Sequence, residues 1–414
     1  MCIVEMKIVC NCRMKRLVCF ILLLLLLALD VNAQKKDIAT ARENVKKNRN
    51  LEQAEQSMQK LLADSANRYN EKIWLILFES VSKQYDQGNM KLYLKQKYDT
   101  SALFNLTKKM FVILEAFDSI DATPDKKGKV SIDYRKKHSD FLDGYRANLF
   151  NGGRYYVNKQ KYQEAYDFFD MYIDCAHQPL FNRFNYLETD AKMPEAAYWA
   201  VYCGYKTQDP KKTFHHTYLA LKDTAHYHLM LQYLAETYKL EDDTARYVKT
   251  LKEGFEKFPT FPFFFPRLVQ HYGDLGDWKT VLGLSEKALE SDSVNVSFLF
   301  TKSTALLNIG RNSECIAICD TLIARNDSLA DPYYNAGLAW FNQAIEQDKT
   351  VKTSAKQRKK VQDLYKKALP YLEHYRALAP EQKRQWALPL YTTYLNLNMG
   401  NEFDEIDRII REMK

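Results

Sequence analysis

The sequence predicts an all-α fold, a right-handed α-solenoid (superhelix) of helix-turn-helix repeats. Glycine and proline are scarce, with 13 and 11 residues in a chain of 414, and the prolines fall mostly at intervals rather than in a linker. Such spacing is typical of consecutive helices. The 28 tyrosines and 22 phenylalanines supply enough apolar surface to offset the entropy of ordering the chain. An internal repeat of 34 residues then favours one elongated body over separate globular domains.

The repeat becomes visible when five segments are aligned, beginning at Pro194, His228, Pro262, Val296 and Ala330. Position 8 is small or slim, which lets a neighbouring helix approach closely, and it reads Val201, Ala235, Val269, Ser303 and Gly337. Position 11 is aromatic in three of five segments and reads Gly204, Tyr238, Tyr272, Leu306 and Trp340. Glycines fall near position 15, where a turn needs a flexible backbone. These columns predict paired helices that pack on the next pair.

This pattern resembles the tetratricopeptide repeat (TPR) family, and the segment Asp274 to Leu289 is the best single match. Tyr247 and Val281 depart from the pattern, because the family has a small residue at position 20. The resemblance is clearest over 194–343, weaker over 140–193 and 362–414, and poor before 140. It implies a curved superhelix that binds a protein or peptide partner without catalysis.

The register also predicts the domain organisation. Residues 34–140 are helical by pattern and are interpreted as an N-terminal region of degenerate repeats. Residues 141–414 form the repeat solenoid, with insertions near 176–193 and 344–362. The last unit, Tyr394 to Ile410, is rich in charge and suits the end of a stack.

The N-terminus has the pattern of a secretory signal peptide over residues 1–33. Lys15 and Arg16 precede an apolar run from Leu17 to Leu29, and Val31-Asn32-Ala33 is typical of a cleavage site. We expect cleavage after Ala33 and export to the periplasm or cell envelope of a bacterium. An uncleaved membrane anchor is the alternative, although the apolar run is short for a span.

Charge and cysteine content exclude some classes of function. The net charge is +8 and falls to about +6 without residues 1–33, and this mild, dispersed excess does not favour nucleic acid as a partner. Four cysteines remain after residue 33, too few for a disulfide framework. Cys315 and Cys319 are predicted to fill the core, whereas a disulfide between Cys175 and Cys203 is left open.

The resemblance assigns positions 2, 5, 9, 12 and 13 of each repeat to the inner surface. An aromatic and amide lining there suits an extended peptide, since aromatic rings give contact area at low entropic cost. The alternative is that half or more of these side chains pack between helices. The candidate partner-binding residues are Phe150, Arg154, Tyr198, Tyr202, Tyr205, Phe300, Asn308, Tyr334, Phe341 and Asn342.

Histidine pairs and a phenylalanine-rich stretch are the other candidate sites for chemistry or binding. His215-His216 and His226-x-His228 lack a carboxylate at a fitting spacing, so no metal site and no cofactor are predicted. The phenylalanine-rich stretch 255–266 is interpreted as core filling at a repeat junction, with a docking surface as the alternative. No nucleophile elbow or phosphate-binding loop is present, which favours a binding scaffold over an enzyme. A cell-envelope structural or polysaccharide-associated protein and an enzyme accessory subunit are the alternatives.

Two patterns of polar residues are expected at the surface. The basic segment Lys126–Lys137 is interpreted as a solvated connector, with contact to anionic lipid or glycan as the alternative. Asp followed by Ser or Thr and an apolar residue occurs seven times and resembles a bacterial O-glycosylation signal, although helix caps produce similar triplets. The candidate acceptors are Ser65, Ser119, Thr224, Thr244, Ser293, Thr321 and Ser328.

Overall fold

The computed structural model describes residues 33–124, 127–349 and 355–413. The predicted signal peptide, apart from Ala33, lies outside these residues. Within the described ranges all regular structure is helical, without β-strands, which confirms the predicted all-α class. None of the helices in those ranges combines the length and apolar character needed to cross a membrane. The chain divides into two compact units between Met230 and Leu231. The regions predicted from the sequence divide at residue 140.

The first unit begins with four helices: α1 (33–46), α2 (Leu51–Leu62), α3 (Glu71–Tyr93) and α4 (Thr100–Asp121). Asn70 and Asp99 cap the N-termini of α3 and α4 by accepting hydrogen bonds from backbone amides. Each of α2 and α3 packs on the helix that follows it. Met58 on α2, Ile73 on α3 and Phe111 on α4 are fully buried.

Helices α5 (Arg135–Asn158) and α6 (Tyr162–Asp174) form the next hairpin. Gly152 and Gly153 permit their close approach, because a Cβ atom there would lie 2.8 Å from the Phe168 ring and 2.6 Å from the Phe169 ring. The predicted insertion near 176–193 follows as two 3₁₀ turns, Cys175–His177 and Pro179–Phe184, and the short helix α7 (Tyr186–Thr189). The insertion is therefore packed structure rather than an open loop.

The side chain of Arg146 on α5 holds the insertion near 176–193 in place. Its guanidinium lies between the rings of Tyr172 and Tyr186, 3.7 and 3.8 Å from their centroids. It donates hydrogen bonds to Asp190 Oδ2 at 2.6 Å and to the Tyr172 carbonyl at 3.0 Å. Burial alone would raise the pKa of Asp190, but the hydrogen bonds from Tyr172 and Arg146 hold it below its usual value. A charged residue thus joins α5, α6 and the segment that follows α7.

The first unit continues with α8 (Met193–Lys206), α9 (Pro210–His215) and α10 (Thr217–Ala220). Asp209 caps α9 by accepting a hydrogen bond from the Lys212 amide. Gly204 brings α8 against α9, because a Cβ atom there would lie only 2.5 Å from the backbone nitrogen of Thr213. The second helix of this repeat is interrupted at His216, the residue between α9 and α10.

The second unit continues the helical series. Its helices are α11 (Tyr227–Leu240), which includes the boundary between the units, and then α12 (Thr244–Lys257), α13 (Phe264–Asp274), α14 (Trp278–Ser291), α15 (Val296–Asn308), α16 (Asn312–Arg325), α17 (Ala330–Lys349), α18 (Ala355–Leu378), α19 (Lys383–Asn396) and α20 (Gly400–Glu412). The first helices of the five aligned repeats begin within two residues of the predicted starts. The 34-residue register is therefore the register of the helical hairpins.

Phenylalanines fill the junction between α12 and α13. Phe255, Phe263, Phe264 and Phe265 are buried, at most 5% exposed. Gly254 makes room for this packing, because a Cβ atom there would lie 2.3 Å from the Phe264 ring. The core interpretation of the stretch 255–266 is thus confirmed for these four rings.

The second predicted insertion, near 344–362, lengthens helices on either side of residues 350–354. Helix α17 has 20 residues and α18 has 24, and the two pack extensively. Ala344, Val361 and Tyr365 form a small core between the added turns. Residues 350–354 lie outside the described part of the chain.

All four cysteines of the described residues are buried and free. The structure therefore does not form the disulfide between Cys175 and Cys203 that the sequence left open. Cys315 and Cys319 have their sulfur atoms 4.0 Å apart and are fully buried, as the core interpretation predicts. Burial raises the pKa of the Cys203 thiol to about 12, which keeps it protonated and unreactive.

Candidate functional site

A groove lies between α13 and α15, the first helices of two consecutive repeats. It encloses a pocket of about 360 Å³. We call it the α13–α15 groove; its lining residues are Val269, Gln270, Gly273, Asp274, Trp278, Phe300, Thr301 and Thr304. The Trp278 indole lies beside Gly273, where an added Cβ atom would make ordinary van der Waals contact with the ring at 3.4 Å. Two aromatic side chains, Phe300 and Trp278, thus line the pocket.

Some polar groups of the groove are hydrogen-bonded within the protein, and others are exposed to solvent. The Thr304 hydroxyl donates to the Phe300 carbonyl at 3.1 Å and accepts from the Asn335 amide at 2.9 Å. This hydroxyl is thus committed to the helix and its neighbour. Gln270 and Asp274 are exposed at the rim, where an amide and a carboxylate can meet a ligand. The site combines an apolar pocket with one negative charge.

The predicted groove residues of the second unit fall into two groups. Phe300 lines the pocket, and Asn308 is exposed on the same helix, where its amide donates to the Thr304 carbonyl at 2.8 Å. Tyr334 packs on Tyr375 with 4.9 Å between ring centroids, and Phe341 packs edge-on against Tyr365 at 5.8 Å. These two rings thus contribute mainly to helix packing. Asn342, the remaining candidate, is partly buried on α17.

In the first unit two of the predicted residues belong to the core. Phe150 is 7% exposed, with its ring edge-on to Phe169 and Tyr172, and Tyr198 is 4% exposed. Tyr198 stacks on His226 with a centroid distance of 4.2 Å. The prediction that these two rings line a groove is therefore corrected, because their neighbours cover both of them.

Three other candidates of the first unit are partly accessible: Arg154, Tyr202 and Tyr205. Arg154 lies over the Trp199 ring at 4.4 Å and pairs with Glu195 at 3.2 Å. Tyr202 meets Trp199 edge-on at 5.6 Å. The positive charge of Arg154 is already neutralised within the chain, which weakens it as a binder of a partner's carboxylate.

Sequence reasoning missed Gln270, Asp274 and Trp278. Gln270 and Asp274 occupy positions 9 and 13 of the repeat that begins at Pro262, so the register itself contained the signal. Trp278 begins the second helix of that repeat, and the register does not assign this position to the inner surface. It lines the pocket together with residues of α13 and α15.

The remaining surface predictions are only partly described by the structure. Lys126 lies outside the described residues, and Arg135 is committed to Asp118 through two hydrogen bonds of 2.8 Å, so it does not extend the basic surface. All seven candidate glycosylation acceptors are exposed. The neighbouring aspartates at 64, 223, 243 and 292 accept hydrogen bonds from backbone amides, as in helix caps and turns. Glycosylation stays a prediction.

The order of the helices, their spacing and the groove define an α-helical repeat protein with TPR-like hairpins. Among solved structures, the chain is similar to the C-terminal part of a TPR repeat-containing protein from Cytophaga hutchinsonii, with 10% identity and a TM-score of 0.41 over 62% of this chain and 92% of that chain. It is also similar to the TPR2AB domain of yeast Sti1 in complex with pHSP90, with 14% identity and a TM-score of 0.25 over 74% of this chain and 96% of that one. No protein-family model matches the sequence, and no curated protein matches it.

Proposed function

We propose that this chain is a non-catalytic scaffold whose α13–α15 groove binds an extended peptide segment of a protein partner. The segment carries a bulky apolar side chain next to a lysine or arginine. The apolar side chain enters the pocket, and the basic side chain meets Asp274 at the rim.

The observation that carries the proposal is the pocket between two first helices, with Phe300 and Trp278 in its lining. Its volume of about 360 Å³ accommodates one large side chain. Burial of one leucine or phenylalanine contributes about 1.5–3 kcal/mol. A charge pair at the exposed rim adds at most about 1 kcal/mol, so it contributes orientation more than affinity.

The test is a selection of binding peptides from a displayed random library, followed by affinity measurements on variants of the full chain. We expect the selected peptides to share an aromatic or aliphatic residue adjacent to a basic one. Phe300→Ala should weaken their binding by about tenfold or more, which corresponds to at least about 1.4 kcal/mol. Asp274→Asn should reduce the preference for the basic residue.

Val296→Ala is the matched control, because Val296 is on the same helix and 46% exposed outside the pocket. It should bind the selected peptides as the wild type does. Selected peptides that bind Phe300→Ala and the wild type equally well would place the binding surface elsewhere and contradict the proposal.

We further propose that the chain is exported to a bacterial cell envelope with residues 1–33 removed. The support is the basic and apolar pattern of residues 15–33, together with the small residues before Gln34. The mass of the protein recovered from the envelope should match a chain that begins at Gln34, with added hexose-like increments if the exposed Asp-Ser/Thr triplets are modified. A mass that includes residues 1–33 would contradict cleavage, and a mass equal to the bare chain would contradict glycosylation.

A further inference from the structure

Three side chains of the first unit converge on one point: Asp170 on α6, His215 at the end of α9, and His216 after it. Their ligand atoms all lie within 4.8 Å of one another. The Asp170 Oδ1 atom is 2.6 Å from His216 Nε2 and 3.4 Å from His215 Nδ1. The two imidazole rings stack with 4.2 Å between their centroids, so their nitrogens face the same carboxylate.

Two features of the backbone bring these three side chains together. Gly204 lets the backbone of α9 approach α8 closely, which sets the position of α9 in the repeat. The helix then ends at His215, and His216 leaves the α-helical geometry with φ −106° and ψ 13° before α10 begins. A continuous helix would point adjacent side chains about 100° apart, and the interruption instead directs both rings to α6.

Neighbouring groups orient the three side chains. The Tyr166 hydroxyl lies 3.1 Å from His215 Nδ1. His216 Nε2 lies at hydrogen-bond distance from Asp170 Oδ1, so each of the two imidazole rings has a partner that holds it in place.

We propose that Asp170, His215 and His216 form a binding site for a divalent transition-metal ion of the zinc class. Two imidazole nitrogens and one carboxylate are a donor set that Zn²⁺ takes with a fourth, open position. Nitrogen donors disfavour Ca²⁺ and Mg²⁺, which prefer oxygen ligands. His215 has a side chain that is 61% exposed, so an ion can enter from solvent and retain water at the open position.

The distances fit a site that closes around an ion with small side-chain movements. Zinc–ligand bonds of about 2.0–2.1 Å in a tetrahedron separate the donor atoms by roughly 3.3 Å. The separation between Asp170 Oδ1 and His215 Nδ1 is already 3.4 Å, whereas the 2.6 Å between Asp170 and His216 is that of a hydrogen bond. The ion takes the place of that hydrogen: His216 binds it through Nε2 as the neutral tautomer, with its proton on Nδ1.

The competing interpretation is a hydrogen-bonded histidine–aspartate pair without affinity for metal. The chain contains such a pair in His226 and Asp223, whose atoms are 2.7 Å apart. Among the described residues this pair belongs to no group of three potential ligands, whereas Asp170, His215 and His216 do. The third donor is what distinguishes a chelating site from an ordinary pair.

The site is tested by isothermal titration of Zn²⁺ into the full chain, free of any polyhistidine tag. We expect one ion per chain, unaffected by excess Ca²⁺. His215→Ala and Asp170→Asn should each weaken binding by at least about tenfold, because loss of even an outer-shell partner costs 10–100-fold. His177→Ala, which removes an exposed histidine outside the cluster, is the matched control and should bind as the wild type does.

Folding does not confound the test, since His215 is mostly exposed and Asp170→Asn preserves the shape of the side chain; circular dichroism verifies both variants. A second readout is Co²⁺, whose visible absorption should show a tetrahedral or five-coordinate site that His215→Ala abolishes. Zinc should also raise the melting temperature of the wild type reversibly, because an ion held by α6 and the end of α9 binds only the folded chain. The proposal is overturned if the wild type shows no saturable binding, or if both variants bind within about twofold of the wild type.

Discussion

Replacing Arg146 with alanine is expected to lower the free energy of unfolding by about 3–5 kcal/mol, the usual effect of removing one partner of a buried ion pair. Asp190 would lose its ion-pair partner, and the Tyr172 carbonyl would lose a donor. The rings of Tyr172 and Tyr186 would face an empty space where the guanidinium now lies. Urea denaturation followed by circular dichroism measures the change.

The control for this prediction is Arg183→Ala in the same insertion. Arg183 pairs with Asp140, and both side chains are more than 40% exposed. An exposed ion pair contributes about 0–1 kcal/mol, so this variant should remain close to the wild type. Equal losses in the two variants would show that Arg146 is not the residue that holds the insertion in place.

Replacing Trp386 with alanine is expected to lower the free energy of unfolding by about 3–5 kcal/mol. Trp386 on α19 is 2% exposed and belongs to the core shared by α17, α18, α19 and α20. Its indole nitrogen donates a hydrogen bond to the Ala379 carbonyl at 3.2 Å, which also would be lost. In thermal denaturation of this variant, the hairpin formed by α19 and α20 should unfold before the rest of the chain.

Leu388→Ala is the matched control, because Leu388 is on the same helix and 65% exposed. A substitution at an exposed site away from any special feature changes stability by less than about 0.5 kcal/mol. If the two variants lost similar amounts of stability, α19 would not be packed as the structure has it.

The helical hairpins were predictable from the sequence because their packing depends on residue size at fixed positions. Val201, Ala235 and Ser303, all at position 8, are completely buried. A small side chain at a helix contact is a local requirement, and it recurs with each repeat. The register therefore locates the helices even where single repeats match the TPR pattern weakly.

The groove was only partly predictable, because the same residue type at the same position has two outcomes. Phe150 occupies position 5 of the repeat that begins near Arg146, as Phe300 does in the repeat that begins at Val296. Phe150 is covered by Phe169 and Tyr172, and Lys192 from the insertion reaches its ring at 5.3 Å. Phe300 instead lines an open pocket. The difference depends on tertiary neighbours that the position within a repeat does not specify.

The histidine cluster shows a second limit of sequence reasoning. No carboxylate of suitable spacing accompanies His215 and His216 along the chain, so no metal site was predicted. The fold supplies Asp170 from the preceding hairpin, 46 residues before His216. A local motif cannot reveal a ligand that comes from the packing of one repeat on the next.

Hydrogen–deuterium exchange of the full chain, with and without a selected peptide, tests whether the α13–α15 groove is the binding surface. We expect slower exchange in the segments 266–278 and 297–308, which carry the lining residues, and little change in α19 and α20. If saturating peptide left exchange in both segments unchanged, or slowed it only in other helices, the binding surface would lie outside the groove.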